Sequence, residues 1–75
     1  SEEGKMELRV GESFELLEFQ EGSTPLLSKL KSMGLREGKK FKVLMENGRV
    51  YLIKLDNSRI VLDKSLVKHL KVRKI

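Results

Sequence analysis

The sequence has 75 residues, of which 39% are hydrophobic and 5% aromatic, with no tryptophan and no cysteine. A chain of this length buries only about 60% of the surface that its unfolded form exposes, which leaves little room to enclose a substrate. The lack of cysteine excludes disulfides, cysteine-ligated zinc, iron–sulfur clusters and thiol catalysis, and no apolar run approaches the roughly 20 residues of a membrane span. These properties predict one small domain, residues 1–75, that is held by its hydrophobic core and suits a reducing cytosol.

Charge is distributed unevenly along the chain. The formal net charge is +5. Residues 1–22 contain seven Glu against one Lys and one Arg, a balance of −5, while residues 23–75 contain 14 Lys and Arg against four acids, a balance of +10. The basic part either binds a nucleic acid or another anionic surface, or folds as a Lys-rich surface against a Glu-rich strand. Abundant Lys and Glu with few amides also follow the trend of hyperthermophile proteins.

The first predicted strand covers residues 14–19, between breakers at Gly11 and Gly22. Residues 1–5 are polar and acidic, and residues 1–6 are predicted to be flexible. A short helix is predicted over residues 25–33. Its apolar residues have the spacing of one buried face; they are Leu26, Leu27, Leu30 and Met33.

Both ends of this helix have recognisable caps. Thr24 is a suitable N-cap, because its hydroxyl can accept an unpaired backbone N–H, and Pro25 fits the first helical position. Gly34 follows the helix where the chain must turn to positive φ. Leu35 is then placed to pack back on Leu30, as in a Schellman cap. A helix of about nine residues is marginal alone, so its apolar face is expected to dock on a sheet.

The next strand follows Gly38 and alternates, with Phe41, Val43 and Met45 predicted on one face. Asn47-Gly48 is a strong signal for a two-residue hairpin turn. With that turn, Met45 would lie opposite Val50 on the returning strand, and Val43 opposite Leu52.

A second tight turn is predicted over residues 56–58, followed by a strand over residues 59–62. In this hairpin Leu55 would meet Ile60, and Ile53 would meet Leu62. A short helical turn over residues 65–69 and a closing strand over residues 70–73 complete the chain. The order strand, helix, three strands, turn, strand predicts a mostly β fold, an SH3-like barrel of about five strands.

Groups able to perform catalysis are scarce in this sequence. His69 is the only histidine, and a lone surface His is the better interpretation of it than a metal ligand or a base. The serines have no His or Asp partner suggested by spacing, and Asp56 and Asp63 fit turn formation. No nucleotide-binding fingerprint is present. We therefore predict no enzyme and no catalytic residue. The ligand pattern does not support a Fe²⁺ or Mn²⁺ site, although it leaves weak surface binding of Fe²⁺ open.

Binding is better supported than catalysis. Leu26 and Leu27 would form an exposed contact patch if the small core buries only part of the helix, or would join the core if it buries the whole apolar face. Basic residues surround the end of the helix and would make a rim suited to an acidic partner or a phosphate; they are Lys29, Lys31, Arg36, Lys39 and Lys40. The predicted partner-binding residues are therefore Leu26, Leu27, Lys31 and Arg36.

The helix end resembles the signature of the FeoA family. In that family a helix ends in an L-G-φ-x-P-G stretch, where φ is an apolar residue. Here the matching residues are Leu30, Met33, Gly34, Leu35 and Gly38. The hairpin, the strand over residues 59–62 and the amphipathic turn ending in Leu70-Lys71-Val72 follow in the family's order. The departures are Glu37 in place of Pro, Asn57 near a usual Gly, and Val67 where Ala is common.

This resemblance implies an SH3-like barrel that works in the cytosol, at the inner face of the membrane, as an accessory to ferrous iron transport. The implied partner is FeoB, a transporter whose cytosolic part is a G-protein domain. The family has no catalytic residues to carry over. The alternative is a basic barrel that binds RNA or DNA, for which Phe41 and Tyr51 are the candidate stacking residues. Self-association stays open.

Overall fold

The computed structural model describes residues 7–20 and 25–75, except for the side chain of Leu26. The predicted flexible segment 1–6, the breaker Gly22 and the N-cap Thr24 lie outside the described residues. The elements, in chain order, are β1 (Ser13–Phe19), α1 (Pro25–Ser32), β2 (Lys40–Glu46), β3 (Val50–Leu55), β4 (Ser58–Asp63), a 3₁₀ helix (Lys64–His69) and β5 (Leu70–Lys74). This order agrees with the predicted one.

The strands form one antiparallel sheet with the spatial order β4–β3–β2–β1–β5. Helix α1 is therefore inserted between two neighbouring strands, β1 and β2, and the 3₁₀ helix joins β4 to β5. Tight turns connect β2, β3 and β4, whereas the pairing of β1 with β5 brings together residues far apart in sequence.

The core contains only apolar and aromatic side chains among the buried residues that the structure describes. Every strand contributes to it, as alternation on one face of a sheet requires. The Phe14 and Phe41 rings stack across the β1–β2 pair, with centroids 5.9 Å apart. The largest fully buried side chains are Leu16, Leu35, Val43, Ile53, Leu55 and Leu62.

The β2–β3 hairpin differs from its prediction in register. Asn47 flanks the turn instead of forming its first residue, because its side-chain Oδ1 accepts hydrogen bonds from the N–H groups of Arg49 (2.8 Å) and Val50 (3.0 Å). Its own N–H donates to the Val50 carbonyl at 3.0 Å. Met45 therefore pairs with Leu52, not with Val50.

A β-bulge in β2 changes which face its last residues occupy. The register shifts between Val43 and Met45, so that Val43 pairs with Ile53 and not with Leu52. Because a bulge adds one residue, it reverses the alternation beyond it. Val43 is fully buried, but Met45 is 61% exposed, and the expectation that they share one face is wrong.

The β3–β4 hairpin has a shorter turn than predicted. Leu55 pairs with Ser58, so only Asp56 and Asn57 form the turn. Asp56 adopts a positive φ of 57°, which Asp tolerates better than most residues. As a result Ile53 pairs with Ile60 instead of Leu62. The predicted register was wrong by two residues, and because side chains alternate between faces with a period of two, the same residues still face the core.

Candidate partner-binding groove at the helix end

An open groove of about 700 Å³ lies beside the end of α1. Its walls come from the last residue of β1, from the exposed side of the helix and from the loop that follows it. The lining residues are Phe19, Ser28, Lys31, Ser32, Arg36 and Glu37. The groove therefore contains two of the predicted partner-binding residues, Lys31 and Arg36.

The helix cap fixes the position of Lys31 relative to Arg36. Gly34 has a φ of 107° and donates its N–H to the Lys31 carbonyl at 3.0 Å, while the Leu35 N–H donates to the Leu30 carbonyl at 3.0 Å. These two bonds define a Schellman motif, as predicted. Leu30 and Leu35 are both buried. The chain therefore reverses directly between the two cations and presents both to the groove.

The groove combines positive charge with an aromatic face. The Lys31 ammonium nitrogen lies 4.9 Å from the centroid of the Phe19 ring, within the range of a cation–π contact. Within residues 7–20 and 25–75, no carboxylate forms an ion pair with Lys31 or Arg36. An acidic group that enters the groove would thus meet two cations that form no ion pair with a described carboxylate, although the Glu37 carboxylate lines the same groove.

Sequence reasoning missed Phe19. The register of β1 shifts between Leu16 and Glu18, so simple alternation along the strand does not describe its last residues. Phe19 is half-buried and packs against the margin of the core. No residue type in this segment marks the bulge.

The predicted apolar contact patch on α1 needs correction. Leu27 is 2% exposed and belongs to the core, so it is not an exposed contact residue. The side chain of Leu26 lies outside the part of the chain that the structure describes. Met33, predicted on the buried face, is 39% exposed. Because the sheet covers the helix at Leu27 and Leu30, Met33 is the described residue of that apolar set that reaches the surface.

Several cations of the basic rim and of β5 have partners. Lys39 forms an ion pair with Asp56 at 2.6 Å. Between β1 and β5, Arg73 bonds Glu15, and Lys74 lies 3.5 Å from Glu12. At this seam the Lys-rich part does fold against the Glu-rich strand, which was one of the two interpretations of the charge asymmetry.

The candidate stacking residues for a nucleic acid are buried. Phe41 is 3% exposed and Tyr51 is 6% exposed. The Lys64 ammonium nitrogen also lies 5.0 Å from the Tyr51 ring centroid. Bases can stack only on accessible aromatic faces, so these two residues do not provide a platform.

The titratable groups outside the groove have structural contacts. Asp63 caps the 3₁₀ helix, where its Oδ1 accepts hydrogen bonds from the backbone N–H (2.9 Å) and the hydroxyl (2.8 Å) of Ser65. These bonds lower the pKa of Asp63. The hydrogen bond to Glu46 raises the pKa of Lys64. His69 is half-buried, and its carbonyl accepts the N–H of Gln20 at 2.6 Å.

The described ranges contain neither a metal-binding cluster nor a membrane-spanning helix. No group of three or more His, Asp or Glu side chains there could hold a metal ion. None of the helices in these ranges has the length and apolar character needed to cross a membrane.

The fold is that of known SH3-like domain proteins. A crystal structure of a FeoA from Stenotrophomonas maltophilia complexed with zinc superimposes with a TM-score of 0.76 at 19% identity, covering 89% of this chain and 85% of that chain. That protein is described as a prokaryotic SH3 domain protein and a candidate ferrous iron transport activating factor. The predicted SH3-like fold class, mostly β with one short helix, is therefore confirmed.

The family is shown by the sequence match. The FeoA domain matches residues 6–74, and this chain belongs to the FeoA family. A second crystal structure, of an iron uptake regulatory protein named FeoA, is similar with a TM-score of 0.77 and 26% identity over 96% of this chain and 93% of that chain. No curated protein matches the chain. The predicted family resemblance is confirmed.

Proposed function

We propose that this chain is a non-catalytic, cytosolic accessory protein of ferrous iron uptake that binds the cytosolic part of an FeoB transporter. The observation that carries this proposal is the FeoA domain match, which covers residues 6–74. The family is tied to iron transport, and a structural neighbour is described as a candidate activating factor for it.

The groove at the helix end is the surface that we propose for this contact. Lys31 and Arg36 lack carboxylate partners among the described residues, and Phe19 adds an aromatic face beside them. Cations around a partly apolar groove favour an acidic segment of a partner, because opposite charges steer the encounter and fix its orientation. Leu26 remains a proposed contact residue by its place in the sequence.

A binding titration tests the proposal. The purified full chain is immobilised and titrated with the cytosolic domain of the FeoB encoded with it, without nucleotide and then with GDP or a GTP analogue. We expect a dissociation constant of roughly tens of micromolar or tighter in at least one nucleotide state. Absence of binding in all three states would contradict the proposed function.

Charge-reversal variants locate the contact. Lys31→Glu combined with Arg36→Glu is expected to weaken binding by about tenfold or more, because it replaces both cations of the groove. Lys42→Glu combined with Lys54→Glu is the control with the same charge change, since both are exposed cations on paired strands and neither lines the groove. If the Lys31→Glu/Arg36→Glu variant binds as well as the control variant, the transporter contacts another surface, although the accessory role itself would stand.

A further inference from the structure

Among the residues that the structure describes, the two outer strands of the sheet, β4 and β5, each have only one neighbouring strand. Leu55 of β3 and Ser58 of β4 close the two-residue turn, and the ladder continues through Ile53↔Ile60. In an antiparallel hairpin of this register, alternate residues exchange hydrogen bonds and the residues between them direct their N–H and C=O groups outward. The outward residues of β4 are therefore Arg59, Val61 and Asp63.

The side chains at these three positions are all exposed and form the series cation, apolar residue, anion. This series is self-complementary. If a second copy of β4 pairs antiparallel about a two-fold axis at Val61, Arg59 lies opposite Asp63 of the second copy, and the two Val61 side chains meet. Opposite charges facing each other across a strand pair stabilise it, whereas like charges destabilise it.

Asp63 keeps an oxygen for such a contact. Both hydrogen bonds from Ser65 end on Oδ1. A carboxylate has two oxygens that can each accept hydrogen bonds, so Oδ2 can accept from a guanidinium without loss of the helix cap.

The other outer strand lacks this complementarity. The exposed side chains of β5 are Lys71, Arg73 and Lys74, and all three are cations. Arg73 and Lys74 already pair with acids of the β1 side, so β5 presents cations but no exposed acid of its own that could face a cation of a second copy. Only β4 therefore has the charge pattern of a pairing edge.

An apolar area continues from this edge over the outer face of the sheet. Met45, Val50, Leu52 and Val61 line a shallow depression of about 220 Å³. Met45 is 61% and Val61 57% exposed. Because Val61 lies at the edge, pairing of two β4 strands would join the two apolar areas and bury part of both.

We propose that β4 is a homodimerisation edge, at which a second copy of this chain continues the sheet through main-chain hydrogen bonds and two reciprocal Arg59–Asp63 ion pairs. The groove that contains Lys31 and Arg36 shares no lining residue with this edge. Residues of α1 line a depression of about 420 Å³ beside the β4 edge, so a second copy paired there would also lie against the helix.

Sedimentation equilibrium of the full chain over about 10 µM to 1 mM tests the proposal. We expect reversible dimer formation that weakens as the salt concentration rises, since exposed ion pairs are screened. Amide exchange measured by NMR should show added protection at Arg59, Val61 and Asp63 when the concentration increases.

Two substitutions probe different parts of the edge. Val61→Pro removes an outward N–H without breaking the β3–β4 ladder, and Val61→Thr, which keeps the N–H, is its control. Arg59→Glu places an acid opposite Asp63, and Lys71→Glu makes the same charge change on β5. We expect Val61→Pro and Arg59→Glu each to raise the dimer dissociation constant by about tenfold or more, and the two controls to leave it nearly unchanged.

A chain that stays monomeric throughout the concentration range would overturn the proposal. In that case β4 could pair only with a strand of a different protein. A dimer that Val61→Pro and Arg59→Glu both leave intact would overturn it as well, because association would then use another surface. Circular dichroism of each variant verifies its fold, and Arg59→Glu keeps the test decisive if Val61→Pro does not fold.

Discussion

The seam between β1 and β5 and the groove at the helix end both contain cations, but only the seam neutralises them. Arg73 bonds Glu15 across the seam, whereas Lys31 and Arg36 have no such carboxylate partner in the ranges that the structure describes. The net charge of +5 does not distinguish the two regions. Charge that is already paired supports the fold, and charge that is not paired is available to a partner.

Among substitutions in the two regions, Gly34→Ala is expected to change the free energy of unfolding most, because it disturbs the cap that holds Lys31 and Arg36 in place. The added Cβ would meet Leu55 Cδ2 at 3.5 Å, an ordinary contact, so the cost comes from the φ of 107°. We expect a loss of about 1 to 2 kcal/mol in the free energy of unfolding, measured by urea denaturation.

Gly48→Ala is the control for this substitution. Gly48 does not have a left-handed φ, and nothing lies within 4 Å of its added Cβ. Its effect should stay within about 0.5 kcal/mol, as for most surface substitutions. Equal losses for both glycines would contradict the role assigned to the Gly34 conformation.

A smaller effect is expected when the seam loses an ion pair. In Arg73→Gln the contact with Glu15 is lost, and because the Arg73 side chain is 62% exposed, the free energy of unfolding should fall by only about 0.2 to 1 kcal/mol. Thermal denaturation at low and high salt checks this, since the difference from the unmodified chain should shrink as salt screens the pair. A larger, salt-independent loss would mean that the Arg73 side chain acts mainly through packing.

The smallest effect is expected at Asp63, whose carboxylate accepts hydrogen bonds from the uncharged Ser65 and is also stabilised by the charge of Arg49. Ser65 lowers the pKa of Asp63 from the ordinary 3.8. Stabilisation by a group with a lowered pKa is fully present above its ordinary value and disappears as the pH falls through its value in the folded state. Asp63→Asn should therefore show less loss of stability than the unmodified chain between pH 4 and about pH 2. Urea denaturation across this range measures it, and parallel curves for the two proteins would exclude a contribution from Asp63.

Local sequence signals predicted the helix end well. The spacing of Leu30, Gly34 and Leu35 was sufficient to predict the Schellman cap, because the two hydrogen bonds of this cap join residues that are close in sequence. The family signature falls on the same segment and led to the FeoA assignment. The cations of the groove could be named for the same reason.

The hairpin registers, and the choice between burial and exposure at Leu27, could not be predicted in this way. The bulge between Val43 and Met45 depends on how two strands pair, and Asn47 can either form a turn or flank it with its side chain as acceptor. Leu27 is buried because it joins the core cluster that the strands form. Each of these features depends on tertiary contacts that periodicity does not encode.

The pairing of β1 with β5 also has a consequence for how the chain folds. Glu15 and Arg73 are 58 positions apart in sequence, whereas β2, β3 and β4 are joined by tight turns. Closing a long loop costs more conformational entropy than closing a hairpin, so we expect the β2–β4 meander to form first and the seam to close late. Local opening of the native protein should then begin at the seam, where β1 and β5 separate while the meander stays intact.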